Sequence, residues 1–574
     1  MARFGVSALI AAAFGLQAAA QLSGSVGPLT SRAAKAAVKT CNIMDYGGVA
    51  DATTDNSQAI NDAWEACSTG GEVYIPEGDY GLSTWLKLSG DAMSFRLDGT
   101  IYRIGTDGGN MLFFQHMNDF ELYSSNSKGA IQGYGYEFHE KDEYGPRILR
   151  LYDVKGFSVH DIALVDSPAF HFAMDTCSDG EVYNLVIHGG NRGGLDGISV
   201  WSTNIWIHDV EVSNKDECVT VKSPADHILI ENVFCNWSGG CAMGSLGADT
   251  DIHDVVYNNV YTQNSNQMYM FKSYGGSGTV ANVQLNNFIG HSNAYTLDLD
   301  ATWSSMSPID GDGILYTNFT FAGWAGTCLN GHQRGPIKFN CPPDVPCTEM
   351  SVTDFNVWTE AGDYVEHWCH NAFGDGACLD AGNPTSTFTT TQTVSSVSDY
   401  SIATMAGEIT AGLGLTASIA IPTLRASFYP GVAAVSPLMA NGEADAVAET
   451  SAAEVASSAA ATPTSIAAES SIVAIESSIV EESTDVAVES TAIAVESTDF
   501  AEESSVVATN TPSVAVSSAL DIDFASFTPI VTSTPVAAIS ASQIPVVSES
   551  GPETTTSATR AGSSACKARK RRHI

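Results

Sequence analysis

The chain has 574 residues, with 25 Lys and Arg against 65 Asp and Glu, a formal net charge of −40 and a pI of about 4.4. So few cations exclude a basic nucleic-acid groove, because phosphate neutralisation needs Lys and Arg. The same shortage argues against adsorption to an anionic membrane surface. The length is ample for a sizeable core, as two domains or as one long solenoid with an appended segment.

Residues 1–20 predict a secretory signal. Arg3 supplies the positive start, ALIAAAFGLQ the apolar run, and Ala18-Ala19-Ala20 a small-residue cleavage site. The apolar run is too short to span a bilayer, and no later stretch qualifies. The mature chain is therefore expected to be secreted, extracellular, soluble and monomeric, with no membrane or nucleic-acid partner.

Residues 51–80 predict a cap. Asp55 or Asn56 can N-cap a helix that carries Ala59, Ile60, Ala63, Trp64 and Cys67 on one face. Gly70-Gly71 stops it, and Val73-Tyr74-Ile75 begins a strand.

From about residue 115 to 360 one phrase recurs: FSVHDIALV, EVYNLVIHG, IWIHDVEVSN, ILIENVFCN, VVYNNVYTQ, VQLNNFIGH. Its Asp or Asn falls at 161, 184, 209, 232, 259 and 287, so the spacing runs from 23 to 28 residues. A period in the twenties, with period-2 alternation and no intervening helices, predicts short strands stacked as coils. One coil cannot bury its own apolar face, so the fold class expected is all-β, a right-handed parallel β-helix. Asn and Asp at a fixed phase fit strand bends, where they tolerate unusual dihedrals.

A second, shorter strand recurs in each coil: DGISV, ECVTV, AMGSL, MYMFK, YTLDL. Asp196 and Glu217 are 21 residues apart, about one coil, and Asp216 precedes Glu217. Adjacent rungs lie about 4.8 Å apart, so three carboxylates are expected to share one face, with Lys272 further along the same strip. Crowded like charges raise the pKa of one carboxyl. One site can then hold a general acid and a general base, the two roles that a glycosidic bond requires.

Twelve cysteines fit an oxidising compartment. The near pairs are Cys41 with Cys67, Cys218 with Cys235, Cys341 with Cys347, and Cys369 with Cys378, although spacing alone leaves the connectivity open. Zinc would need C-x₂-C spacings and matched His partners, which are missing, so no metal and no cofactor is expected. Asn236 (NWS) and Asn318 (NFT) have the form of N-glycosylation acceptors. From residue 385 to 574 the composition turns to Ser, Thr, Ala, Val and Glu, with repeats such as ESSIV and VAVEST. That segment is expected to be a disordered stalk, leaving a catalytic domain over 21–384 that survives a cut near 385.

The entry phrase DYGGVADATTDNSQAINDAWEAC…GGEVYIPEGDY resembles that of pectin-degrading β-helix proteins. The strip resembles glycoside hydrolase family 28, the polygalacturonase family. GGLDG stands where its Asn-Thr-Asp phrase belongs, NKDEC for its Asp-Asp-Cys phrase, GGCAMGSLG for Gly-His-Gly without the His, and MYMFKS for Arg-Ile-Lys with Met270 for the Arg. NRGGLDGISVW, NKDECVTVK and FIGH together resemble the fungal rhamnogalacturonases of that family, over about residues 21–380. The resemblance implies hydrolysis of galacturonate-rhamnose α-1,2 bonds in a pectic polysaccharide, endo-acting and with inversion. It implies Asp216 as general acid, Asp196 and Glu217 as the groups that position and deprotonate water, Lys272 as a uronate ligand, and His291 as a residue that orients the acid. The alternatives are another pectinase of the family (an exo-galacturonidase, a xylogalacturonan hydrolase or a polygalacturonase) or a non-catalytic β-solenoid wall protein.

Overall fold

Strands of up to 19 residues, mostly buried and bent at their corners, stack in parallel together with shorter ones. Ile207, Ile230, Tyr257, Leu285 and Phe321 are partners on successive rungs, and all five are fully buried. Such columns make the core of a right-handed parallel β-helix. The computed structural model describes residues 21–441, apart from 69, 363, 396–401, 407–408 and 410–412. The expected signal at 1–20, the remainder of the expected stalk and Cys566 lie outside the described residues.

The bends follow the Asn/Asp phase. Asp161, Asn184, Asp209, Asn232, Asn259 and Asn287 all have positive φ, between 48° and 58°. This left-handed conformation is costly for most L-residues and least so for Asn and Asp. The side chains also bridge rungs: Asn232 Nδ2 donates to Asp209 Oδ1 at 3.0 Å, and Asn259 Nδ2 to Asn232 Oδ1 at 3.1 Å. The sequence reading anticipates one such column, and the structure has more. Asp179, Asn204, His227, Asp254, Asn282 and Asn318 form a second, and Lys215, Trp237, Asn264 and Ser292 a third. One left-handed residue at each corner lets a rung turn without a loop.

The helix Ser57–Cys67 caps the first coil, with Trp64 packed on Phe95, Phe114 and Phe120 and Cys67 bonded to Cys41. Its N-terminal contact comes from Asp55, whose Oδ1 accepts from Ser57 N–H at 3.2 Å. The Asn56 side chain instead ties Val49 to Thr54. A preceding helix, Arg32–Val38, buries Lys35 against Asp119 at 2.8 Å. The pairs Cys218–Cys235, Cys341–Cys347 and Cys369–Cys378 are also bonded. Cys177, Cys241 and Cys328 are free and buried.

Two sequence expectations are corrected here. The domain does not end at 384. Thr389–Val394 pairs antiparallel with Val365–His370 and closes the last parallel edge, which would otherwise be open to pairing with another chain. The described residues between 402 and 441 form a strap. Its Ile419, Leu424 and Phe428 bury against outward-facing Ala130, Ala163, Val186, Phe234, Tyr261 and Ile289. Polar contacts fix it: Gln132 Nε2 donates to Ile419 O at 2.7 Å, and Val435 N–H to Asp209 Oδ2 at 2.7 Å. The second correction is Asn236. Its side chain is fully buried, so its amide cannot carry a glycan in the folded protein. Asn318 is exposed at a corner, with Nδ2 on Asn282 Oδ1 at 2.8 Å.

Candidate active site

The strand Ile198–Ser213 begins two residues after Asp196, and Glu217–Val221 lies beside that beginning, with Ile198 opposite Val219. The 21-residue register places Asp196 next to Glu217 on neighbouring rungs, confirmed by Gly197 N–H donating to Glu217 O at 2.8 Å. Asp216 follows the left-handed corner at Lys215 and turns to the same side. One oxygen from each of Asp196, Asp216 and Glu217 lies within 4.8 Å of the others. The three carboxylates expected to meet do meet.

Their surroundings differ. Asp196 and Glu217 are 3% and 4% exposed, whereas Asp216 is half-buried and the most exposed of the three. Asp196 Oδ2 lies 3.2 Å from Lys222 Nζ and accepts from Ser199 Oγ at 3.1 Å. Glu217 Oε1 pairs with Lys272 Nζ. Asp216 accepts from two backbone N–H groups, Gly194 on Oδ2 and Glu217 on Oδ1, the latter at 3.0 Å. Asn214 Nδ2 clamps the two rungs by donating to Leu195 O at 2.6 Å and Glu217 O at 2.9 Å.

Burial pushes the Asp196 carboxyl up, and the charge of Asp216 adds to this, while Lys222 opposes it. Burial pushes the Lys272 ammonium down, against the pull of Asp216 and Asp196. Three such oxygens are also the kind of donor set that holds a divalent cation. Here two lysine ammoniums supply the positive charge.

Sequence reasoning missed Lys222, Asn214 and Ser199. The signal for Lys222 was available, because it ends the NKDECVTVK phrase on the outward phase of its strand. Among the aromatics near the strip, Tyr269 is fully buried in the core, and Trp206 packs against His208 at 4.1 Å. Tyr295 does lie on the strip, facing Arg334 at 4.2 Å.

The structure does not bring His291 to the carboxylates. Val212, Cys235, Thr262 and Gly290 are partners on successive rungs, which puts His291 three rungs beyond the coil of Asp216, about 14 Å at the usual spacing. Its Nε2 lies 3.0 Å from Ala403 O, in the strap. Trp237 Nε1 donates to Ile409 O and Asn191 N–H to Leu413 O along the same side, so the strap runs beside the corner from which Asp216 projects.

Residues 73–378 match the Glycosyl hydrolases family 28, and residues 40–95 match a group described as Rhamnogalacturonase A/epimerase, pectate lyase-like. This chain belongs to glycosyl hydrolase family 28. The family 28 chain is 62% identical over 421 residues to a probable rhamnogalacturonase A of Aspergillus niger, covering 73% of this chain and 94% of that protein. It is 60% identical over 420 residues to rhamnogalacturonase A of Aspergillus aculeatus, covering 73% and 96%. Among solved structures, the endo-xylogalacturonan hydrolase of Aspergillus tubingensis is similar with a TM-score of 0.50 at 20% identity, covering 56% of this chain and 94% of that one. At that identity the likeness concerns the fold. As a family 28 member the chain is a glycoside hydrolase, which removes the wall-protein alternative.

Proposed function

We propose that this hydrolase is exported and, as a single chain, cuts galacturonate-rhamnose α-1,2 bonds within the rhamnogalacturonan backbone of pectin. The observation that carries the reading is the trio Asp196, Asp216 and Glu217 on neighbouring rungs, with an ammonium on two of them. The rhamnogalacturonase names borne by relatives above 60% identity support the substrate.

Asp216 is the general acid. It is the most exposed of the three and is held by backbone N–H groups rather than by a cation, so when protonated it can turn its O–H to the leaving oxygen. Asp196 and Glu217 hold the attacking water between them. A base works best when its proton affinity is raised toward the working pH, and Asp196 has that property. The family resemblance implies direct attack by water, with inversion, across a gap shorter than is usual for an inverting pair. After the bond breaks, Asp196 carries the water proton and Asp216 has lost its own, and solvent restores both. Lys272 neutralises Glu217 and keeps further donors for a uronate carboxylate. His291 anchors the strap and takes no part in proton transfer.

Debranched rhamnogalacturonan and polygalacturonate should be compared by reducing-end release and viscosity. The reading expects a rapid fall in viscosity on the first polymer and little release from the second. Preferential cleavage of polygalacturonate would overturn it. Proton NMR of the first-formed reducing end tests inversion, and a retained anomer would exclude water as the direct nucleophile.

A further inference from the structure

The chain is poor in cations, yet its outward strip is not. Arg150, Lys222, Lys272, Arg334 and Lys338, five of the 25 Lys and Arg, are on it. The register continues from Met270 to Asp298 and from Asp298 to Lys338. Asp298 is thus three rungs beyond Glu217 and Lys338 four, about 14 Å and 19 Å along the axis.

A second charged group stands there. Arg334 Nη1 donates to Asp298 Oδ2 at 3.2 Å, Lys338 Nζ lies 3.3 Å from Asp298 Oδ1, and Lys338 also pairs with Asp300. The Arg334 guanidinium lies over the ring of Tyr295 at 4.2 Å and that of Trp303 at 5.5 Å. Its side chain is 28% exposed, while Asp298 beneath it is 1% exposed. The arginine is therefore packed against two rings and bonded to a buried carboxylate, with part of its side chain left exposed. A guanidinium carries five N–H donors in a planar fork, so one bond to Asp298 leaves room for a second carboxylate. Burial also pushes the Asp298 carboxyl up.

We propose that Arg334, with Lys338 beside it, forms an outer binding site for a uronate carboxylate of the substrate, three to four rungs from the point of cleavage. The proposal rests on the functional reading above and extends it. A rung of about 4.8 Å is close to the advance of one sugar along a polymer, so a chain lying on the strip with its cleaved bond at Asp216 passes over Arg334. A cation backed by ring faces suits a uronate better than a neutral deoxy sugar, because charge-assisted hydrogen bonds are the strong ones.

The test is calorimetric binding of rhamnogalacturonan oligomers of increasing length to full-length Asp216→Asn protein, with and without Arg334→Ala. The affinity gain on lengthening past the third rung should fall about tenfold with Arg334→Ala, in keeping with one lost charged contact. Arg334→Lys should restore part of it, and carboxyl-reduced oligomers should show no such gain with either protein. Lys338→Ala gives a second variant should Arg334→Ala fail to fold. A length-dependent gain that survives Arg334→Ala, or one equal for native and carboxyl-reduced oligomers, overturns the proposal. Wild-type protein that leaves rhamnogalacturonan intact overturns the functional reading and this site with it. A cleaving wild type with an unaltered length dependence in the variant overturns this site alone.

Discussion

Two outward surfaces of one solenoid have opposite fates. On the strip, outward residues are charged and paired, as in Asp196 with Lys222 and Glu217 with Lys272, and the strap residues Ile419, Leu424 and Phe428 pack elsewhere. On the strap side, outward residues such as Val186, Phe234, Tyr261 and Ile289 are apolar, and Ile419, Leu424 and Phe428 cover them. The backbone is the same on both, so the side chains alone decide which surface is sealed and which receives a polymer. His291 shows the division: it contacts the strap, and its distance from the carboxylates follows from the rung count.

The largest expected effect comes from removing the cover. A chain ending near residue 385 should lose several kcal/mol, since burial of each large apolar side chain contributes about 1.5–3 kcal/mol. It should unfold at a much lower temperature or fail to express, whereas a chain ending at 441 should melt like the full protein. Differential scanning calorimetry of the two truncations checks this, and equal melting would show that the strap is dispensable.

On the strip, Asp196→Asn should lower kcat by about 10²–10⁴-fold with the fold intact, the usual size for a lost acid or base. Stopped assays on debranched rhamnogalacturonan, paired with circular dichroism, measure it. A fall below tenfold would move the base to Glu217.

Buried acids on both surfaces predict the pH dependence of stability. Asp166 is fully buried, and burial pushes its carboxyl up to about 7. A folded pKa above the unfolded 3.8 means the folded form holds the proton longer. Stability is thus greatest below about 4 and falls as pH rises toward 7. Asp166→Asn should flatten the slope between those values by about 3 kcal/mol or less, at 1.36 kcal/mol per pH unit. Urea unfolding at pH 4 and 7 tests this, and an unchanged slope would place the linkage elsewhere.

The smallest effect is expected at His291. His291→Ala should cost about 1 kcal/mol through its contact with the strap and leave the pH profile of kcat unmoved. A shifted profile would return His291 to the chemistry.

Much of this was legible in the residues. The Asn/Asp phase gave the corners, and the 21-residue offset placed Asp196 beside Glu217. The strap was hidden because its segment blends into a low-complexity composition, and extended chain without regular hydrogen bonding leaves no periodic signal. A sign did exist in the solenoid. Neighbouring apolar residues such as Val186-Ile187 and Phe288-Ile289 put one side chain into the core and the other outward, which means a strand covered on both faces. Asn236 misled for the opposite reason: a three-residue phrase says nothing about burial.

The most direct test of the central claim is hydrolysis by Asp216→Asn. On debranched rhamnogalacturonan at saturating concentration the variant should bind oligomers and melt like wild type, yet release no reducing ends above background. Sustained hydrolysis by the folded variant at a tenth or more of the wild-type rate would contradict the claim that these three carboxylates on neighbouring rungs cut the bond.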